Sequence, residues 1–285
     1  MTIGNKEKTV LITGATGGIG QNLAFHLGSL GYHVIATGRS VDLFISMQIR
    51  AQSKGMQMDT VPLDVTDPES IAVAYKTVKY LTRERGIDVL INNAGYGLPG
   101  PLMELDIDEL KKQFETNVFG MLRVTQTFGR DMMEQRRGKV FIISSVAGRV
   151  TLPLFGAYSA SKYAVEALGD ALRMELSPFG VKVILIEPGL IKSNFRNVAY
   201  KTLDKFDVQS SHYQEALKWY KAQRDKVEFM RDKPDVVARI VGKAIESDDP
   251  APRYIMPLHA KLYLLMNHLL PISILDRMFR FTTGL

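Results

Sequence analysis

A tyrosine and a lysine stand four residues apart in the stretch "YSASKYAVEAL". In a helix this spacing places the Tyr158 hydroxyl and the Lys162 ammonium on one face. A tyrosine hydroxyl has an ordinary pKa of about 10, too high for a good base near neutral pH. A nearby ammonium favours the phenolate, and lowering the pKa by about 2 to 3 takes roughly 3 to 4 kcal/mol. We therefore expect a proton-transfer pair in which Lys162 lowers the pKa of Tyr158.

Two other polar residues extend this pair. Ser145 follows the apolar run "VFIIS", at a predicted strand end, and is expected to hold a substrate oxygen. Asn117 lies in a predicted helix although asparagine is a poor helix former, and it is a candidate to hold a water that links Lys162 to solvent. Each residue taken alone is equally well explained as an ordinary surface residue. The prediction depends on the set.

A glycine-rich turn, "LITGATGGIG", leads from a predicted strand into a predicted helix. Its glycines fit both G-x-x-x-G-x-G and G-x-x-G-x-x-G spacing. A turn without β-carbons lets a pyrophosphate approach the backbone at the helix N-terminus. The alternative is an ordinary strand-to-helix loop. The residues predicted to contact a dinucleotide here are Gly14, Thr16, Gly18, Ile19 and Gly20.

The end of the next predicted strand reads "ATGRS". In a dinucleotide site an acidic residue about 20 positions after the turn often holds the ribose 2′-hydroxyl. This chain has Gly38 and Arg39 there. We expect Gly38 to make room for a 2′-phosphate, Arg39 to bind it and Ser40 to add a hydroxyl contact. The pattern predicts NADP(H) over NAD(H), and the alternative is a surface arginine in a turn.

Three further strand ends carry candidate cofactor contacts, each with a plain turn as its alternative. Asp64 in "PLDVT" is a candidate to accept from an adenine amino group, or simply to cap the next loop. Small residues in "NNAGYG" would let a flat ligand lie on the backbone, and "IEPGLIKSNF" offers partners for a carboxamide. The predicted contacts are Asp64, Val65, Asn92, Ala94, Gly95, Pro188, Gly189, Ile191 and Ser193.

The elements that must position these residues are short apolar runs alternating with longer helical patterns. Several runs are apolar on both faces, as in a parallel sheet buried between helices. The alternation predicts an α/β, doubly wound parallel sheet whose sites lie at the carboxyl ends of its strands. One helix is expected from an Asp67 N-cap to Gly86, a long one from Asp106, and another stopping at Pro178. The predicted strands are Thr9–Thr13, His33–Gly38, Met58–Asp64, Asp88–Asn92, Lys139–Ser144, Lys182–Glu187 and Arg253–Met256.

Composition narrows the function classes. The chain has 285 residues, 46% of them hydrophobic, and no linker-like stretch, which favours a single domain. Its net charge is +6, and its basic residues are scattered along the sequence, which argues against a nucleic-acid partner. There is no cysteine and the five histidines show no metal-ligand spacing, so no metal site is predicted. The N-terminal stretch lacks the apolar run of a signal peptide, and we expect a cytoplasmic protein.

Taken together, "TGATGGIG", "NNAG", the Ser145–Tyr158–Lys162 set and "PGLIKS" resemble the short-chain dehydrogenase/reductase family, in family order over about residues 8 to 257. The resemblance implies a single-domain Rossmann-type sheet of seven strands in the order 3-2-1-4-5-6-7. It implies that Tyr158 is the general acid/base, Lys162 tunes it and binds the nicotinamide ribose, Ser145 orients the carbonyl and Asn117 completes a proton relay. It also implies a homodimer or homotetramer. Ser193 departs from the usual threonine but keeps a hydroxyl.

Within that family the chain looks closest to the steroid, retinol and acyl-dihydroxyacetone-phosphate reductase group. Apolar loops and an aromatic-rich lid at about 190–230 predict an apolar carbonyl or alcohol substrate. The alternative is that these residues pack on the core or on another subunit. Rival functions are a sugar-nucleotide epimerase or dehydratase of the same fold and a non-catalytic dinucleotide sensor.

The last residues form an apolar extension with basic ends. We divide the chain into a domain of residues 1–257 and this extension, residues 258–285. Its uninterrupted apolar runs are too short to span a bilayer. Three interpretations stay open: it closes the substrate pocket, packs at an oligomer interface, or contacts a membrane surface.

Overall fold

The chain folds around one parallel sheet. A computed structural model describes residues 8–191, 199, 201–226 and 233–283. The strand order is β3-β2-β1-β4-β5-β6-β7, as predicted, and the strand bounds agree with the sequence prediction to within two residues. The strands are β1 Thr9–Ile12, β2 His33–Gly38, β3 Met58–Pro62, β4 Val89–Asn92, β5 Gly138–Ile143, β6 Val181–Pro188 and β7 Arg253–Met256.

Helices pack on both faces of the sheet. They are α1 Gly18–Ser29, α2 Val41–Gln52, α3 Pro68–Leu81, α4 Ile107–Phe114, α5 Met121–Glu134, α6 Gly156–Leu176, α7 Gln214–Lys226, α8 Asp235–Glu246, α9 Leu258–Leu269 and α10 Ile272–Thr283. Strand β1 shows why two layers form. Val10 and Ile12 join the apolar cluster under α1 and α8, whereas Leu11 joins the cluster under α3, α5 and α6. Successive residues of a strand point to opposite faces, so an all-apolar strand needs cover on both.

Two predicted helices differ in their bounds. Asp67 caps α3 by accepting from the Glu69 N–H at 2.9 Å, as expected, but the helix ends at Leu81 rather than Gly86. Arg83 and Glu84 take left-handed backbone angles, with φ of 50° and 63°, which no α-helix can continue. The long helix predicted from Asp106 is interrupted by a π-helical turn, Glu115–Gly120, between α4 and α5.

The C-terminal helices follow β7 directly. A Cβ built on Gly189 would lie 3.1 Å from the Ala260 Cβ, so the start of α9 packs against the loop that follows β6. On α10, Leu275 and Thr283 are buried, and this helix contacts α7. In the described part of the chain, no helix is long and apolar enough to cross a membrane. The division at residue 257 stays a prediction.

Candidate active site

The glycine turn is shaped by its contact with the loop after β4. Gly14 has a left-handed φ of +62°, and a Cβ there would lie 2.9 Å from the Ala94 Cα. A Cβ on Gly20 would clash with the Gly14 carbonyl oxygen. These two positions therefore need glycine because turn, helix and neighbouring loop pack against each other. Ile19 is partly buried against the core cluster under α1.

The asparagine that holds this turn is Asn93, which the sequence analysis missed. Its Nδ2 donates to the carbonyl oxygens of Thr13 at 2.9 Å and Gly14 at 3.0 Å. Asn92, the predicted contact, is buried and donates instead to Thr125 Oγ1 at 2.8 Å. Neighbouring strand residues point to opposite faces, so only one asparagine of the pair can reach the turn. A cofactor contact of Asn92 would have to use its backbone.

Helix α1 begins at this turn and presents an open N-terminus. Gly17 is the N-cap, with no side-chain capping bond, and nothing lies within 4 Å of the position that a Cβ would take. The first turn of α1, which includes Gly18, carries no acidic residue. Backbone N–H groups and the positive end of the helix dipole together suit an anionic group. These features fit the pyrophosphate of a dinucleotide cofactor.

The end of β2 places a cation near the glycine turn. Arg39 and Ser40 are exposed, and the Ser40 side chain makes no capping bond to α2. Among the described residues Arg39 makes no salt bridge. Burial raises the pKa of Tyr96, in the loop after β4, and the Arg39 charge opposes this rise. Arg39 therefore lies close enough to Tyr96 for the two groups to interact.

Gly38 has a different explanation from the predicted one. A Cβ at this position would lie 3.0 Å from Thr16 Cγ2 and 3.2 Å from Thr16 Oγ1. The missing side chain thus makes room for Thr16 of the glycine turn. The inference that Gly38 is small in order to admit a phosphate is not needed, and the prediction of NADP(H) then depends on Arg39.

The loops after β3 and β6 lie at the carboxyl edge of the sheet and contain the remaining predicted cofactor contacts. Asp64 Oδ1 accepts from Thr66 N at 2.9 Å and from Thr66 Oγ1 at 2.8 Å, which is the loop-capping alternative. Val65 is buried against Gly120. The Gly189 N–H donates to the Met256 carbonyl at 2.7 Å. Ile191 packs on the core, and Ser193 lies outside the described residues.

The four predicted catalytic residues come together at the carboxyl edge of the sheet. Tyr158 and Lys162 are buried on α6, and Tyr158 hydrogen-bonds with the Ser145 side chain. Ser145 Oγ also donates to the Pro188 carbonyl at 3.4 Å. Lys162 Nζ donates to the Ile143 carbonyl at 2.8 Å and lies 5.9 Å from the centroid of the Tyr158 ring.

Asn117 lies in the π-helical turn, a type of distortion that is frequent at functional sites. Its Oδ1 accepts from the Tyr96 N–H at 3.0 Å, and its Nδ2 donates to Ser161 Oγ at 3.1 Å. A Cβ on Gly95 would lie 3.0 Å from Asn117 Oδ1 and 3.9 Å from Lys162 Nζ. Asn117 and Lys162 therefore flank the same glycine, and Ser161, which the sequence analysis missed, ties Asn117 to α6.

Burial dominates the charge state of the pair. It raises the pKa of Tyr158 to about 12, and the hydrogen bond with Ser145 opposes this rise. It lowers the pKa of Lys162 to about 8, which the negative charge of Glu166 opposes. The sequence analysis expected a lowered pKa for Tyr158, and this expectation was wrong. The reason is that desolvation penalises both charged forms more than the lysine favours the phenolate.

The family model for short chain dehydrogenases matches residues 8–204. This chain is a short-chain dehydrogenase. It is accordingly an oxidoreductase.

Three relatives align over nearly the whole dehydrogenase. The probable short-chain type dehydrogenase/reductase VdlC of Helicobacter pylori is 35% identical, covering 95% of this chain and 96% of that protein. The NADPH-dependent 3-dehydrocapnine reductase of Ornithobacterium rhinotracheale is 31% identical, covering 94% and 95%. Human retinol dehydrogenase 16 is 35% identical, covering 95% and 87%. Among solved structures, a short-chain dehydrogenase from Streptomyces avermitilis superposes with a TM-score of 0.77 at 29% identity, covering 96% and 95%.

The described part of the predicted lid contains a small apolar cluster of its own. Leu203, Leu217 and Tyr220 pack with Leu154 of the loop after β5. The Tyr220 hydroxyl donates to the Pro153 carbonyl at 2.8 Å. This cluster therefore packs on the loop that follows Ser145.

Two carboxylates that the sequence analysis did not single out are buried behind the catalytic residues of the dehydrogenase. Glu166 lies one turn after Lys162 on α6, and Glu187 lies in β6. Arg253 Nε lies 3.1 Å from Glu187 Oε1, and its Nη2 lies 3.2 Å from Glu166 Oε2. Arg149 Nη1 lies 3.5 Å from Glu187 Oε1. A glutamate within the apolar run "VILIEP" was the signal that could have revealed this cluster.

Glu187 predicts a pH dependence of stability. Burial and the charge of Glu166 raise its pKa from 4.5 to about 7, against the opposing arginines. The folded chain therefore holds this proton more tightly than the unfolded chain. The resulting stabilisation is complete below about pH 4.5 and is lost as pH rises through about 7. Because Glu187→Gln cannot lose a proton, its free energy of unfolding relative to wild type should rise by on the order of 2 kcal/mol from about pH 5 to about pH 8.

Urea unfolding at both pH values measures this difference. Asp249→Asn is the matched control, because a hydrogen bond from Lys182 lowers the pKa of the Asp249 carboxyl. Asp249 is thus ionised throughout the interval in folded and unfolded chains. A Glu187→Gln curve that runs parallel to wild type across the interval would show that this carboxyl does not titrate there.

Proposed function

We propose that this dehydrogenase interconverts a ketone or aldehyde and an alcohol, with NADP(H) as cofactor, an apolar molecule as substrate and Tyr158 as general acid/base. The observation that carries the proposal is the buried Tyr158 hydroxyl, which hydrogen-bonds with Ser145 and lies on α6 one turn from Lys162. These residues share the sheet edge with the glycine turn. The proposed proton donor and the proposed cofactor site thus lie at the same edge of the sheet.

The residues divide the chemistry between them. A bound nicotinamide supplies or accepts the hydride. The Ser145 hydroxyl holds the substrate oxygen within reach of Tyr158. Since burial keeps Tyr158 protonated at neutral pH, it is in the form that donates a proton to that oxygen, which suits reduction. Lys162 and Asn117, which flank Gly95, provide the connection through which the tyrosine regains its proton.

Support for NADP(H) comes from Arg39. An exposed guanidinium at the end of β2, with no salt bridge in the described ranges, matches the 2′-phosphate that distinguishes NADP from NAD. An acidic side chain at this place would repel that group. The relative from Ornithobacterium rhinotracheale is described as NADPH-dependent, in agreement with this choice.

Support for an apolar substrate comes from the lid and the loops around it. The cluster of Leu154, Leu203, Leu217 and Tyr220 lies beside the catalytic serine loop. Leu102 and Met103, in the loop after β4, are exposed large apolar residues. Binding sites for apolar ligands are lined in this way, with few polar groups to fix orientation. Retinol dehydrogenase 16 is a relative whose name states such a substrate.

A substrate panel tests the proposal. NADPH oxidation is followed with steroid ketones, retinal, long-chain acyl ketones, small ketones and sugar ketones. We expect kcat/KM for at least one apolar class to exceed that for the sugars by about 100-fold, because several buried methylenes each add to binding. Turnover confined to small polar sugars would contradict the substrate class, and absence of turnover with every carbonyl would contradict the reaction.

A further inference from the structure

We propose that α9 and α10 dock on the surface of an anionic lipid membrane. The first observation is an outward apolar face on α9. Leu258, Leu262, Leu265 and Leu269 are 80%, 59%, 53% and 68% exposed. Their spacing, at i, i+4, i+7 and i+11, places all four on one side of the helix.

Helix α10 continues this surface. Its buried residues, Leu275 and Thr283, face the protein, whereas Ile272, Ile274 and Met278 are exposed. Leu270 and Pro271 separate the two helices. The pair therefore presents a run of large apolar side chains to the outside, of the kind that lies in the headgroup region of a bilayer. Each helix has 12 residues, too few to span one.

Charge selects the occupant of this surface. Lys261 and His268 border the apolar face of α9, and Arg277 and Arg280 are exposed on α10. Asp276 is the single acidic side chain between residues 257 and 285. Anionic headgroups complement this basic border. A second copy of the chain, packed through the same face, would bring the basic residues against each other, which disfavours self-association here.

The position of α9 links the surface to the active site. Ala260 packs on Gly189, and Ser145 donates to the carbonyl of the preceding Pro188. Leu190, next to this contact, is also exposed. A docked chain would hold the sheet edge that carries Ser145 at the lipid, where an apolar substrate is dissolved. This last step rests on the proposed function, whereas the docking itself does not.

Vesicle flotation of the full chain tests the docking. We expect the protein to float with vesicles of phosphatidylglycerol and phosphatidylcholine, and at least about fivefold less with phosphatidylcholine alone. Leu262→Glu/Leu265→Glu should lower the bound fraction about tenfold. Lys261→Glu/Arg277→Glu should remove the preference for anionic vesicles. Met174→Glu, a substitution of a residue on α6 that is 61% exposed, is the matched control and should float like wild type.

Two results would overturn the inference. One is wild-type protein that floats with neither vesicle. The other is wild-type protein that sediments as a dimer which Leu262→Glu/Leu265→Glu converts to monomer, since a second copy would then cover the face.

Circular dichroism confirms folding, and the milder Leu265→Ser should give an intermediate loss of flotation. NADPH oxidation with a soluble ketone separates the two proposals: the docking variants should keep it, and its absence in wild type would contradict the proposed reaction without bearing on flotation.

Discussion

Tyr158→Phe should lower kcat with NADPH and a good carbonyl substrate by about 10³-fold or more, while the Kd for NADPH stays within about twofold. The substitution removes one hydroxyl from a buried position and leaves the ring in place. That hydroxyl hydrogen-bonds with Ser145 and is the proton donor in the proposed reaction. Loss of the proton donor should affect the chemical step, whereas the contacts proposed for the cofactor, the glycine turn and Arg39, are unchanged in this variant. Steady-state kinetics and fluorescence titration measure the two quantities.

The same helix offers the control for this experiment. Tyr163 follows Lys162 directly and is 45% exposed. Tyr163→Phe makes the same chemical change on the same helix without touching the buried hydroxyl, and its kcat should stay within about twofold of wild type. If Tyr158→Phe keeps more than about a tenth of wild-type kcat, then a different group supplies the proton. A loss in both variants would indicate damage to α6 rather than to the proton donor.

The fold could be predicted from the sequence because each element carries its own period. Val10, Leu11 and Ile12 are all apolar, which is the mark of a strand covered on both faces, and the structure divides them between two clusters. The order of the strands came from the family resemblance. The π-helical turn around Asn117 was not predictable, because the apolar period of the stretch continues through it.

Within the candidate site, the identity of the residues was easier to predict than the direction and the burial of their side chains. Asn92 and Asn93 are chemically identical. Their side chains point to opposite sides at the end of β4, and this alone decides that Asn93 reaches the glycine turn. The sign of the Tyr158 pKa change was wrong for a related reason. Sequence shows that Lys162 is close, but the loss of solvation depends on the whole fold around the hydroxyl.

The prediction of NADP(H) now depends on one residue. Gly38 and Arg39 were both used to argue for a 2′-phosphate, and the structure gives Gly38 another reason, its contact with Thr16. Arg39 makes no salt bridge in the described chain. A basic residue that contacts the pyrophosphate would attract both cofactors, because both carry that group. A basic residue that contacts the 2′-phosphate affects only NADP(H), so its substitution should weaken the binding of NADPH and not that of NADH.

Arg39→Ala should therefore weaken NADPH binding about 10- to 100-fold and change NADH binding by no more than about twofold. The size follows from the roughly 1.5 to 3 kcal/mol that hydrogen bonds to charged groups contribute. Fluorescence titration with both cofactors at one fixed ionic strength measures it, since salt screens an exposed guanidinium. Arg130→Ala, which removes an exposed arginine on α5, controls for net charge and should leave both affinities unchanged. Equal weakening of NADPH and NADH by Arg39→Ala would place the guanidinium on the pyrophosphate and remove the basis for choosing NADP(H).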